Sequence, residues 1–170
     1  MLSILLMPGF SFADGNNDWQ NINQNVIKLN ASNSCQGCVL RNTSFIGADL
    51  TNSSLSGVDF ISANLSSANL DNANLEGSSL FGADMNGTSL EKANLFGSNL
   101  FAANLYGANL AGANLTEADL SLANLSGVNF FQADLTNANL RGADLSDAIL
   151  EGAFLCNTMM PWGIDSSSCQ

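Results

Sequence analysis

The sequence contains no histidine and only 4 lysine or arginine residues, and both shortages exclude classes of function. Without histidine, the chain lacks the usual general base of nucleophilic triads and the commonest protein ligand of transition metals. Phosphate contacts need clustered lysine and arginine, so direct nucleic-acid binding is not expected. The 15 acidic residues leave a formal charge of −11, which favours a basic partner or simple solubility.

A hydrophobic run long enough to span a bilayer is also missing, because the apolar stretch from Met1 to Phe12 is too short. Residues 1–13 are predicted to be the remnant of an export signal, since Ser11 and Ala13 are small residues suited to the −3 and −1 positions of a cleavage site. The basic start of such a signal is absent, and an unstructured cytosolic N-terminus is the alternative. An even number of cysteines agrees with an oxidising compartment, so we expect an exported protein.

The 170 residues, 46% of them apolar, are enough for one domain, and a five-residue period organises most of them. Between residues 103 and 125 a leucine recurs at every fifth position, with an alanine two places before each one. On an α-helix a step of five residues advances 500°, and on a strand it moves the side chain to the opposite face. Only a backbone that bends once per repeat keeps these leucines on one axis, which predicts a solenoid.

The repeats run without interruption, with a central residue at every fifth position from Leu40 to Leu155, which makes 24 repeats. The centre is Leu, Phe or Met, and the residue two places earlier is small or β-branched, as the interior of a narrow tube requires. The residue between them is mostly Asn or Asp, whose side chains stabilise tight turns. Glycine often follows two places after the centre, where it relieves the bend.

These repeats resemble the pentapeptide-repeat family, whose motif is A-(D/N)-L-x-x; "ADLTN" at 48–52 and "ANLSG" at 123–127 are close copies. The resemblance covers residues 38–157. It implies an all-β solenoid, a right-handed four-sided β-helix with twenty residues per coil and therefore about six coils. Ile149 and Phe154 depart from the motif by replacing Asn or Asp, which suggests that the tube changes into its cap there.

Both ends of a solenoid expose core and backbone, so caps are expected at residues 14–37 and 158–170. The segment 16–30 has Asp18 as a candidate N-cap and apolar residues at helical spacing, which predicts a short amphipathic capping helix. The C-terminal cap is expected to use Met159, Met160, Trp162 and Ile164. Disordered tails are the alternative.

The cysteines are expected to form one disulfide at each end. With coils about 4.8 Å apart, Cys38 and Cys156 are separated by roughly 24 Å, far beyond the reach of a disulfide. We expect Cys35 to pair with Cys38 and Cys156 with Cys169, although the tail after Asn157 is able to carry Cys169 further. Cys35 and Cys38 also have the spacing of a thiol redox motif, but no thioredoxin-like βαβ pattern surrounds them.

The outer surface carries the candidate binding site. In the family's twenty-residue coil, one column contains Arg41, Ile61, Phe81, Phe101, Ser121 and Arg141. We define the aromatic belt as Ile61, Phe81 and Phe101, the neighbouring Leu122, and Phe96 and Tyr106 on the adjoining sides. Exposed apolar patches often mark protein contacts, whereas stacked aromatics also stabilise neighbouring coils without binding anything.

No catalytic site, cofactor site or metal site is predicted. The serines have no histidine partner, and carboxylates such as Asp144 and Asp147 are expected on a convex, solvated surface without a pocket.

The leading hypothesis is a non-catalytic, exported scaffold that binds an unidentified protein and resembles pentapeptide-repeat proteins of the cyanobacterial periplasm or the thylakoid lumen. The alternative is a DNA mimic that acts on a type II topoisomerase, as some members of the family do; export, the absence of a projecting loop and the even spread of acids count against it. An enzyme is the weakest hypothesis.

Overall fold

A computed structural model of the protein describes residues 18–169. The predicted export segment 1–13 and the first residues of the expected cap, 14–17, lie outside the described part. Within it, α1 (Asp18–Ser32) is followed by the long run of repeats and by two short antiparallel strands, β1 (Thr158–Met160) and β2 (Gly163–Asp165). No described helix is long and apolar enough to cross a membrane.

The repeats form a β-helix in which each side of the tube pairs with the side one coil further on. Every isolated bridge is parallel and joins a residue to the one twenty positions later, from Ser34↔Ser54 to Asn139↔Met159. Since each repeat has five residues, one coil has four sides. The pairing therefore starts four residues before position 38, where the repeat pattern first becomes clear in the sequence.

Each repeat is fixed by backbone hydrogen bonds in both directions along the tube. The Leu50 amide donates to the Asn69 carbonyl at 2.7 Å, and the Asn69 amide donates to the Ala48 carbonyl at 2.8 Å. A third bond joins the Gly47 amide to the Ser66 carbonyl at 2.9 Å. Because this pattern recurs from coil to coil, most backbone polar groups of the sides are satisfied, as a buried backbone requires.

The corners are tight turns with one left-handed residue each. In the corner at Phe45, the Ala48 amide donates to the Phe45 carbonyl at 3.0 Å, and Gly47 between them has φ 62°. Every fifth residue from Gly37 to Asn157 has a positive φ of this size, including bulky residues such as Leu122. Glycine at about half of these positions removes the steric cost of that conformation.

The centre of the tube is a continuous apolar core. Central side chains such as Leu65 and Leu115 are 0% exposed, which confirms the prediction that the evenly spaced leucines share one interior. Alanines and other small residues fill the space beside them, and Phe45 and Phe60 meet edge to face with ring centroids 5.5 Å apart. One large and one small side chain from each repeat are therefore enough to fill the interior of the tube.

The Asn and Asp side chains outside the core support both the turns and the stacking. Asn64 Oδ1 accepts the Ser66 amide at 3.0 Å, which closes a local turn within its own repeat. Along the tube, Asn114 Nδ2 donates to Asn94 Oδ1 at 3.2 Å, and Asn94 Nδ2 donates to Asn74 Oδ1 at 3.2 Å. These ladders connect neighbouring coils outside the core as well as inside it.

Helix α1 covers the N-terminal end of the tube. Ile22 and Leu29 are buried and Val26 packs against the core. One face of the helix therefore covers the first coil, which has no coil before it. The helix ends where Asn33 takes a left-handed conformation, φ 51°, and donates its amide to the Leu29 carbonyl at 2.8 Å. The Asn33 side chain also donates to the Thr51 carbonyl at 2.9 Å, at the edge of the first coil.

The C-terminal end is covered on one side only. Strand β1 continues the ladder through the Leu140 amide and the Met159 carbonyl, and Met160 is 1% exposed. The expectation that Trp162 and Ile164 would plug the core is wrong, because they are 69% and 72% exposed. Both follow the point where β1 leaves the core, so they lie in or beyond the turn of a hairpin.

Candidate partner-binding surface

The aromatic belt divides into one continuous column and two separate aromatic side chains. The amides of Asn42, Ser62 and Gly82 donate to the carbonyls of Ile61, Phe81 and Phe101, at 2.9 to 3.0 Å. This bonding stacks the three apolar residues directly above one another at one corner. Phe96 and Tyr106 belong to other columns, because their carbonyls accept from Gly77 and Gly87.

Phe81 and Phe101 form the centre of the column. Their rings are parallel within 4°, with centroids 5.4 Å apart, which is offset stacking. Phe81 is 43% exposed, whereas Ile61 and Phe101 are half-buried. The stack therefore stabilises adjacent coils and still presents an apolar ridge to solvent.

Leu122 adjoins this ridge in an unfavourable backbone conformation. Its φ is 57°, which a bulky residue rarely adopts, and its side chain is 59% exposed. A Cβ at Gly142 in the next coil would lie 2.7 Å from Leu122 Cδ2, so the leucine lies over a glycine that leaves it room. Every repeat has this positive φ at the same position, so it is the exposure of Leu122 that makes it a candidate contact residue.

The two other aromatic residues of the belt have polar neighbours along their columns. Phe96 is 36% exposed and stacks between Glu76 and Thr116 in backbone register, while Tyr106, 54% exposed, stacks between Asn86 and Ser126. The structure thus brings Ile61, Phe81 and Phe101 together with Leu122 beside them, and it places Phe96 and Tyr106 on separate corners.

Sequence reasoning did not find the apolar character of the C-terminal end. Ile149 is 49% exposed and Phe154 is 53% exposed, and both occupy outward positions where other repeats have Asn or Asp. Trp162 and Ile164, which follow them in the chain, are also exposed. The departure from the motif was the available signal, but it suggested a cap instead of exposed side chains.

Both disulfides pair as expected, Cys35 with Cys38 and Cys156 with Cys169, and no cysteine of the described residues is free. The first lies beneath α1 and the second joins the last repeat to the tail after β2. Each disulfide therefore fixes one end of the tube.

Two of the basic side chains on the tube form ion pairs with acidic side chains. Arg41 forms an ion pair with Asp59, and Lys92 Nζ lies 2.9 Å from Glu91 Oε1. In residues 18–169 no three His, Cys, Asp or Glu side chains are grouped to hold a metal ion. Two shallow depressions lie at the ends of the tube, one beside Asp49 and the other beside Met160, and neither contains an acid and base pair.

Comparison with known proteins gives a family match and several structural likenesses. The sequence matches the profile of the pentapeptide repeats, in 8 copies, over residues 34–70, 59–97, 98–137 and 123–160. No curated protein matches the chain.

Several solved structures are similar to it. HetL, a pentapeptide-repeat protein involved in heterocyst differentiation regulation in Nostoc sp. strain PCC 7120, is 21% identical, with 81% of this chain and 96% of HetL covered and a TM-score of 0.40. A pentapeptide-repeat protein of the Arabidopsis thaliana thylakoid lumen is 21% identical (88% and 77% covered, TM-score 0.33). QnrB1, a plasmid-mediated fluoroquinolone resistance protein, is 22% identical (79% and 78% covered, TM-score 0.43). All three TM-scores are below 0.5.

Proposed function

The chain belongs to the pentapeptide-repeat family, and from that premise we propose that it is a non-catalytic scaffold that binds a protein partner through its outer surface. Proteins of this family form right-handed quadrilateral β-helices. With a ladder from Ser34 to Met159, we place about six coils in this tube. Its regular sides offer contact area without a cleft for a substrate.

The exposed stack of Phe81 on Phe101 carries the proposal. A stabilising role alone does not require Phe81 to remain 43% exposed, nor Leu122, in the coil that follows Phe101, to be 59% exposed. Aromatic residues are enriched where protein interfaces have their strongest contacts. The partner therefore is expected to place an apolar group against the ridge of Ile61, Phe81 and Phe101, next to Leu122.

We also propose that the protein works in an oxidising compartment outside the cytosol, the periplasm or the thylakoid lumen. Two disulfides that hold the two ends support this location, since such bonds persist where thiols are not kept reduced. Fusing residues 1–17 to a reporter and locating it tests the proposal. A reporter that stays in the cytosol contradicts it.

The binding proposal is tested by replacing Phe81 and Phe101 with serine. When each protein is added to an extract of the source cells and cross-linked, the wild-type protein is expected to capture a partner that the double variant does not capture. Phe131→Ser is the matched control, because Phe131 is an aromatic residue of similar exposure, 41%, on another corner. Circular dichroism confirms that each variant is folded. A partner that all three proteins retain rejects the ridge as the site.

A DNA mimic that acts on a type II topoisomerase is the second candidate, and the charge favours it. The net charge is −11, and two of the four basic residues are paired with acids, which leaves the surface strongly negative. The acids are distributed around the tube instead of along one side: Asp59, Asp84, Asp71 and Glu76 lie on four different columns. A gyrase supercoiling assay separates the candidates, since inhibition at stoichiometric protein supports the mimic and no inhibition supports the scaffold.

A further inference from the structure

The two disulfides differ in their access to solvent. Cys35 is 0% exposed and Cys38 is 6% exposed, whereas Cys156 is half-buried and Cys169 is exposed. Thiol–disulfide exchange begins with a thiolate that reaches one sulfur of the bond, so access decides which disulfide reacts. The buried pair has the spacing of a redox motif, yet the other pair is the accessible one.

The buried disulfide is covered by the capping helix. Cys35 Sγ lies 3.3 Å from the Asn25 carbonyl oxygen, and Lys28 Nζ lies 4.0 Å from Cys38 Sγ. Both contacting residues belong to α1, whose apolar face packs on the core through Leu29. A reductant reaches this bond only after α1 has moved from the end of the tube.

The accessible disulfide holds a segment that has little else to hold it. After β2, the tail contacts the tube through the Ser168 amide and the Leu155 carbonyl at 3.3 Å, and through Ser166 Oγ and Asn157 Oδ1 at 3.4 Å. Both hydrogen bonds are long and lie at exposed or half-buried residues. The covalent bond to Cys156 is therefore the main attachment of residues 166–169.

Strand β1 is anchored independently of the disulfide. The Met159 amide donates to the Ala138 carbonyl at 2.9 Å, and the Leu140 amide donates to the Met159 carbonyl at 2.7 Å. Thr158 Oγ1 is buried and donates to the Leu135 carbonyl at 2.8 Å. Strand β2 pairs with β1 from Thr158↔Asp165 to Met160↔Gly163, so loss of the disulfide is expected to free only the chain after β2.

We propose that Cys156–Cys169 is a redox-sensitive clamp that a dithiol reductant opens while Cys35–Cys38 stays oxidised. One thiolate of the dithiol attacks Cys169 Sγ, the disulfide breaks, and the Cys156 thiolate leaves and takes up a proton. The second thiol of the reductant then attacks the mixed disulfide and releases Cys169, so two electrons reduce the protein bond and the reductant becomes a disulfide. The open clamp frees residues 166–169 and uncovers half-buried Leu155 at the C-terminal end of the tube.

The test uses the intact oxidised protein and dithiothreitol without denaturant. Samples taken over time are alkylated with N-ethylmaleimide, and peptide mass spectrometry gives the labelled fraction of each cysteine. Cys156 and Cys169 are expected to be labelled on the order of tenfold faster than Cys35 and Cys38. Equal labelling, or faster labelling of Cys35 and Cys38, overturns the proposal.

Hydrogen exchange on the selectively reduced protein tests the structural consequence. Exchange in residues 166–169 is expected to rise, while the Leu140 and Met159 amides keep their protection. The Cys156→Ser/Cys169→Ser variant should reproduce this pattern without reductant, and Cys35→Ser/Cys38→Ser serves as the matched control with an intact clamp. Unchanged exchange in 166–169, or loss of protection along the whole ladder, contradicts a local clamp.

Discussion

Asn25 of α1 donates its side-chain amide to the Val39 carbonyl at 3.0 Å, across the N-terminal edge of the tube. In later coils the equivalent carbonyl accepts an amide from the preceding coil, as the Asp59 carbonyl accepts from Leu40. Val39 has no preceding coil, so the helix supplies the missing donor. The capping helix therefore satisfies backbone as well as covering apolar side chains, which are the two requirements of a solenoid end.

Asn25→Ala is expected to lower the free energy of unfolding by about 1 kcal/mol, because it leaves a partly buried carbonyl without a donor. Urea unfolding measured by circular dichroism gives the difference. Asn23→Ala is the matched control, since Asn23 lies two residues earlier on α1 with an exposed side chain. Equal midpoints for the two variants would show that the contact with Val39 contributes nothing.

Two buried hydroxyls give a prediction of the opposite sign. Ser53 and Ser78 are each 1% exposed, and neither Oγ has a hydrogen-bond partner in the described residues. Replacing either by alanine, the commonest residue at this position of the repeat, is expected to raise the unfolding free energy by about 1 kcal/mol.

Ser98→Ala is the control for these two changes, because Ser98 Oγ donates to the Leu95 carbonyl at 2.8 Å. It should be neutral or destabilising under the same urea titration. If Ser53→Ala and Ser78→Ala behave like Ser98→Ala, the two hydroxyls are satisfied in solution and the prediction is wrong.

The five-residue period was sufficient to predict which side chains enter the core. Leu65 and Leu115 face inward because each repeat bends the backbone identically, so the rule is local and is written in every repeat. The twenty-residue register is different, since spacing alone does not fix four sides. That register came from the family resemblance, and the stacking of Phe81 on Phe101 depends on it.

The ends of the tube were harder to predict because no repeat rule applies there. A helix over 16–30 was recognisable from apolar spacing, but the bond from Asn25 to Val39 depends on how the helix lies across the coil. Apolar composition suggested that Trp162 would plug the core, although a turn after Met160 carries it outward. Long-range placement of a few residues, instead of local preference, decides these positions.

Acid is expected to weaken the turns at Asp49 and Asp144. Hydrogen bonds from the Thr51 hydroxyl and amide lower the pKa of Asp49 below its usual 3.8, and those from Ser146 lower the pKa of Asp144 in the same way. A lowered folded-state pKa means that each carboxylate favours folding above about pH 4. This contribution is lost as the pH falls through the lowered value.

The Asp49→Asn/Asp144→Asn variant should therefore lose less stability than wild type as the pH falls below about 4. Asparagine keeps the acceptor without titrating, as Asn64 Oδ1 does when it accepts the Ser66 hydroxyl at 2.7 Å. Thermal unfolding across pH measures the effect, and Asp147→Asn controls for the change in charge on an exposed corner. Parallel curves for the double variant and wild type would contradict the assignment.

The uneven closure of the two ends predicts that identical core substitutions have different costs along the tube. Leu115 is 0% exposed, with coils on both sides, while Leu145 is half-buried in the final coil. Leu115→Ala is expected to cost about 2–5 kcal/mol, because the cavity has no room to collapse. Leu145→Ala should cost about 1–2 kcal/mol, because part of that side chain already contacts water and the end coil relaxes. Urea midpoints compare the two variants, and hydrogen exchange shows whether the Leu145 change frays only the end. Equal costs would mean that the C-terminal coil is covered in solution by something that buries Leu145 as completely as Leu115.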